Sequence, residues 1–150
     1  MVARTILAAV MLAATALAAQ EDQTVYFQLL GSAGTYSLNY ERRIGPNFGP
    51  VAFTLSAGLS AFNNAAVYDA PILGRLLLGR RNQLEAGIGL EPELYHGAYG
   101  SEYQTLLIAA LGYRHFFKHG FMLGLAFTPI VETRPWFIYP NIGINIGWRI

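Results

Sequence analysis

The sequence predicts an all-β protein: a single eight-stranded antiparallel up-and-down transmembrane β-barrel that follows a cleaved signal peptide. Three observations support this fold class. The first 18 residues have the pattern of an export signal, the rest of the chain alternates apolar and polar residues, and turn residues separate the alternating runs. The predicted domains are therefore residues 1–18, the signal peptide, and residues 19–150, the barrel.

Composition narrows the function before any motif is considered. The 150 residues fit one domain, and the charged fraction of 13% is roughly half of the ~25% found in ordinary soluble domains. The absence of cysteine excludes disulfides, thiolate metal sites and a cysteine nucleophile. Ten Lys and Arg residues against nine Asp and Glu leave no basic surplus, so we expect no nucleic-acid partner.

The export signal consists of a short basic start, an apolar stretch and a small-residue cleavage site. Arg4 precedes the uncharged residues 5–17, and Ala16-Leu17-Ala18 supplies the small-x-small pattern that a signal peptidase accepts. The apolar stretch is shorter than the about 20 residues that a membrane-spanning helix requires. Loss of Arg4 on cleavage leaves nine basic and nine acidic residues, so the exported chain has a formal charge of zero.

Alternation with a period of two predicts the strands. In residues 51–60, for example, Val51, Phe53 and Leu55 share one face, and small residues occupy the other. Tight turns near 45–49, 79–82 and 118–120 alternate with longer breaks near 31–34, 62–70, 94–103 and 132–136. The eight predicted strands are residues 24–31, 34–44, 50–61, 71–78, 83–93, 104–117, 120–131 and 137–150.

The composition of the two faces favours a membrane barrel over a soluble barrel of the lipocalin kind. The polar face consists mainly of Gly, Ser, Asn, Thr and Ala, which suit a narrow lumen, whereas the other face is uniformly bulky and apolar. Aromatic residues gather near the predicted strand ends, as expected of the two belts at a membrane–water interface. The representative belt residues are Tyr36, Tyr40, Tyr113, Phe121, Trp136 and Trp148.

Several strand segments resemble a family of small, mostly uncharacterised outer-membrane β-barrel proteins of Gram-negative bacteria. They are residues 36–43 (YSLNYERR), 84–89 (LEAGIG), 112–114 (GYR), 127–129 (FTP) and 147–150 (GWRI). The resemblance implies a location in the bacterial outer membrane, with periplasmic chaperones and the barrel assembly machinery as partners during biogenesis. It implies no particular biochemical activity.

Polar residues on the inward-facing positions are the candidate site. Buried charges are costly unless they are paired, so these residues are expected to form a network that fills the lumen. Arg75 falls near the same face. The predicted lumen network comprises Asn39, Glu41, Arg43, Gln83, Glu85 and Arg114.

No catalytic or cofactor site is predicted. None of the histidines, His96, His115 and His119, has a serine close by in a hydrolase-like arrangement, and Glu91, Glu93 and His96 have the appearance of an ordinary loop edge. We therefore expect a monomeric, non-enzymatic protein that contacts outer-membrane lipids and has a structural, envelope or small-ligand role. The alternatives are a narrow or gated pore, a lipid-modifying enzyme and a secreted lipocalin-like carrier.

Overall fold

The computed structural model describes residues 22–62, 67–97, 100–133 and 136–150, with the side chains of residues 46, 47 and 62 excepted. The signal peptide predicted at residues 1–18 lies outside the described residues. In the described part of the chain, no helix is long and apolar enough to cross a membrane.

The chain forms one antiparallel sheet that closes on itself into an eight-stranded barrel. Closure occurs because β1 pairs with β2 on one side and with the last strand, β11, on the other. Three of the eight barrel strands consist of two segments each, namely β4 with β5, β8 with β9 and β10 with β11. The segments are β1 (Gln23–Leu29), β2 (Tyr36–Phe48), β3 (Val51–Phe62), β4 (Val67–Asp69), β5 (Ile72–Leu78), β6 (Asn82–Gly97), β7 (Gly100–Phe116), β8 (Phe121–Phe127), β9 (Ile130–Thr133), β10 (Trp136–Tyr139) and β11 (Ile142–Arg149).

A proline lies at each of the three strand interruptions. Pro71 separates β4 from β5, Pro129 separates β8 from β9, and Pro140 separates β10 from β11. Proline has no backbone N–H to donate to the ladder, so it interrupts regular pairing. Its carbonyl still accepts, and the Pro71 and Pro129 carbonyls receive N–H groups of neighbouring strands at 2.8 and 3.1 Å. The barrel wall therefore stays continuous through these breaks.

The two faces of the wall have opposite compositions. In β3 the odd-numbered side chains point outward and the even-numbered ones inward, as the sequence predicts. The same alternation continues around the ring, so Ser37, Ser56 and Asn145 are buried in the lumen. Large apolar side chains cover the exterior: Ile88 is 76% exposed and Leu111 is 66% exposed. Most polar side chains of the barrel wall are thus inside and most large apolar side chains outside.

The two ends of the barrel differ. The turn end carries the short connections at residues 49–50, 79–81 and 118–120, together with Asp22 and the carboxyl terminus, Ile150. The opposite end, the loop end, carries the β6–β7 hairpin, whose pairing runs without a break from Asn82 and His115 to Gly97 and Gly100. The prediction of loops at 94–103 and 62–70 is wrong in part, because residues 94–97, 100–103 and 67–69 are strands. Residues 94–96 and 100–105 are exposed on both faces of the hairpin, so they lack the one-sided apolar pattern that identifies a strand in a sequence.

Glycines on the lumen side allow neighbouring strands to bring large side chains inward. A Cβ at Gly147 would collide with the Tyr26 side chain and the Val25 carbonyl, whereas a Cβ at the outward Gly74 would meet nothing closer than 4.0 Å. We therefore expect Gly147→Ala to lower the free energy of unfolding by about 1–3 kcal/mol, the usual cost of overpacking. Gly74→Ala is the matched control and should change stability little. Urea unfolding of the detergent-solubilised protein measures both, and equal stabilities would contradict this account of the lumen glycines.

Candidate functional site

Four buried charged side chains meet in the lumen, and we call them the ion quartet. Glu41 comes from β2, Arg75 from β5, Glu85 from β6 and Arg114 from β7, and each is at most 4% exposed. The inward parity of each strand directs these side chains to the barrel axis. Gly87 makes room for Arg75, because a Cβ at Gly87 would lie 2.8 Å from the Arg75 Cγ.

Each member of the ion quartet contacts both members of opposite charge. Glu41 lies 2.7 Å from Nη1 of Arg114 and 3.1 Å from Nη1 of Arg75. Glu85 lies 2.8 Å from Nη2 of Arg114 and 3.7 Å from Nε of Arg75. Arg75 also donates to Ser56 Oγ and lies 5.7 Å from the centre of the Tyr26 ring. Two arginines and two glutamates therefore form a closed, electrically neutral ring of contacts.

Only part of the predicted lumen network belongs to this ring. The structure places Glu41, Glu85 and Arg114 in it, and adds Arg75, which the sequence indicates only by its inward position among leucines. Three other predicted residues are elsewhere. Arg43 pairs with Asp22 at the turn end at 2.9 Å, Gln83 donates to the carbonyl of Arg80 at 3.2 Å, and Asn39 donates to Ser37 Oγ at 2.7 Å.

A second polar cluster occupies the lumen beside β1 and β11. The Gln28 amide donates to Asn145 at 2.8 Å, and its oxygen accepts from the backbone and hydroxyl of Ser32 at 3.1 and 2.8 Å. Ser32 and Ala33 belong to the β1–β2 connection and are almost fully buried. The Asn141 amide donates to the Gly31 carbonyl at 3.2 Å. This connection therefore folds into the lumen instead of projecting from it, an arrangement that the sequence pattern does not reveal.

The remaining lumen is apolar near β7 and acidic towards the loop end. The apolar cluster consists of Leu73, Leu106, Ile108, Ala110 and Ile130. Beyond it, Asp69 pairs in register with Glu93, and Glu91 is buried nearby.

No three His, Asp or Glu side chains in the described ranges are arranged to hold a metal ion. His96 follows the outward parity of β6 and contacts the Tyr68 ring edge-on at 5.8 Å, so it does not join the two inward glutamates.

The predicted belt residues lie at both ends of the barrel. At the turn end, Phe121 packs on Trp148 with ring centres 4.8 Å apart, and Tyr113 donates to Asn82 at 2.8 Å. Tyr40, also towards this end, donates to Gln23 at 2.9 Å. At the loop end, Tyr36 stacks on Phe27 at 5.9 Å and Trp136 is exposed. Their role as belts in contact with lipid stays a prediction.

Comparison with known proteins identifies the fold and nothing finer. No family model matches the chain, and no curated protein matches its sequence. Among solved structures, it is similar to the outer membrane protein Ail of Yersinia pestis, whose backbone structure was determined in a phospholipid bilayer nanodisc. The TM-score is 0.53 at 10% sequence identity, over 87% of this chain and 100% of the Ail chain. The two chains share a barrel fold. At this identity the likeness says nothing about a shared activity.

If the ion quartet stabilises the fold, removal of one of its charges should lower the free energy of unfolding. Glu41→Gln keeps the side-chain shape but leaves two arginines facing one carboxylate, so we expect a loss of about 3–5 kcal/mol of unfolding free energy. The control is Glu102→Gln, because Glu102 is exposed in the β6–β7 hairpin and its replacement should change stability by less than about 0.5 kcal/mol. Denaturant titration in detergent measures both variants. A Glu41→Gln protein as stable as the wild type would exclude the quartet as a determinant of stability.

Proposed function

We propose that the protein is a non-enzymatic β-barrel of the bacterial outer membrane, with a closed lumen and a structural, envelope or lipid-interacting role. The apolar exterior carries this proposal. Exposed leucine, isoleucine and phenylalanine side chains surround the barrel, and each would leave apolar surface in water at a cost of about 25 cal/mol per Å². A bilayer removes that cost, and a closed barrel brings no unpaired sheet edge into the lipid.

The composition of the lumen also supports this proposal. A soluble carrier of the lipocalin kind keeps its apolar face inside, around a ligand cavity. Here the interior holds the ion quartet and the polar cluster around Gln28, and the outside holds most of the large apolar residues. The arrangement of faces is therefore the reverse of what a soluble carrier needs.

A closed lumen is favoured over a pore. The ion quartet spans the lumen with no net charge, Ser32 and Ala33 enter it from the β1–β2 connection, and the apolar cluster fills the space beside β7. An eight-stranded barrel has an interior only about wide enough for side chains to fill. These three features favour a barrel that does not conduct solutes.

Two positions on one face of β6 test the membrane location. Ile88 lies on the exterior of the barrel wall, and His96 lies on the same face further along, in the protruding hairpin. If lipid surrounds Ile88, Ile88→Arg should cost about 2–4 kcal/mol of stability in bilayers, as expected for arginine at the bilayer midplane. His96→Arg should be almost neutral. Equal effects in the two variants, or a wild-type protein that folds in buffer without detergent, would contradict the membrane location.

Conductance measurements test the closed lumen. Purified wild-type protein in planar bilayers should give no reproducible single-channel steps, because the ion quartet and the β1–β2 connection occupy the lumen. The sample must first be shown to be folded, by a gel mobility that changes on heating. Regular conductance steps from that sample would contradict a closed lumen and favour the pore. Altered acylation of lipids by the purified protein would favour the lipid-modifying enzyme.

A further inference from the structure

An open cleft lies at the turn end of the barrel. Its volume is about 390 Å³, within the usual range for small-molecule sites. It lies where the first and last strands meet the turns at residues 49–50 and 79–81. Charged and backbone groups from five separate places in the chain reach it. The lining residues include Asp22, Arg43, Pro50, Gly79, Arg80 and Arg149.

Positive charge exceeds negative charge in this cleft. Among the described residues, three arginines, Arg43, Arg80 and Arg149, line it against one carboxylate, that of Asp22, so arginine is in surplus. Asp22 is shared, since it lies 2.9 Å from Nη1 of Arg43 and 3.6 Å from Nε of Arg149.

The next carboxylate inward does not balance this surplus. Glu41 holds Arg114 at 2.7 Å and Arg75 at 3.1 Å, so its charge is already used in the ion quartet.

Contacts within the fold hold two of the three arginines in place. The Arg149 guanidinium lies over the Phe116 ring, 3.9 Å from its centre, and Arg43 is anchored by Asp22. Arg80 lies in the tight turn between β5 and β6, which is tied to the β2–β3 turn by the Gly79 N–H donating to the Pro50 carbonyl at 2.8 Å. Arg80 is exposed and has no ion-pair partner among the described residues.

We propose that this cleft binds an oxyanion of the phosphate class, with Arg80 as a direct ligand and Arg43 and Arg149 as supporting charges. Guanidinium groups suit this role because their planar N–H groups bind phosphate oxygens in pairs and remain charged at all physiological pH values. The phosphate group belongs either to a free anion or to a lipid headgroup.

Calorimetric titration tests the proposal with full-length exported protein in maltoside micelles, which contain no phosphate. Inorganic phosphate should bind the wild type, whereas acetate and chloride at matched ionic strength should give no comparable heat. Arg80→Gln should weaken the phosphate Kd about tenfold or more, the expected effect of losing a hydrogen bond to a charged group. Arg81→Gln is the matched control, since Arg81 is the next residue of the same turn but does not line the cleft; its Kd should stay within about twofold.

A competition experiment identifies the source of the phosphate group. If short-chain phosphatidylglycerol competes with inorganic phosphate for the wild type but not for Arg80→Gln, the ligand is a lipid headgroup. If phosphatidylglycerol does not compete with inorganic phosphate for the wild type, the ligand is the free anion. Absence of phosphate binding, or equal weakening by Arg80→Gln and Arg81→Gln, would overturn the proposal.

Discussion

Pairing between β1 and β11 is the constraint on which the rest of this structure depends. Six register pairs, from Thr24 with Arg149 to Leu29 with Ile144, convert an open sheet into a ring. A ring has no edge strands along the paired wall, so its backbone groups are satisfied without help from solvent or partner. Closure also divides every strand into an inward and an outward face. Each side chain must then suit either a narrow interior or the surroundings of the barrel.

Closure of the barrel buries charged side chains in the lumen, where they must be paired. Inward positions carry two arginines and two glutamates, and an unpaired charge at any of them would be costly. Because each of these groups contacts both members of opposite charge, none is left alone. The small residues between them are part of the same solution, since Gly87 leaves room for Arg75 and Gly147 leaves room for Tyr26. Charge pairing and backbone glycines therefore act together to fill the lumen.

The sequence predicts the architecture well where one face of a strand differs from the other. Residues 51–60 alternate strictly, and the structure places their small residues inward and their bulky residues outward. The same reasoning fails for residues 94–103, because both faces of the β6–β7 hairpin are exposed over most of this range. It is also incomplete for the lumen residues. Inward parity identifies Glu41 and Glu85, but the register between distant strands decides that Arg75 and not Arg43 meets them.

Local pattern alone determined the fold class, the face on which each side chain of a regular strand lies, and the charge type available to the interior. These follow from a two-residue period that is written in the chain. Only the tertiary structure decided which charges pair, that residues 31–33 fold into the lumen, and that Arg43, Arg80 and Arg149 surround one cleft. Those outcomes depend on strand tilt, register and the paths of connections, which join residues far apart in sequence. A periodicity of two carries no information about them.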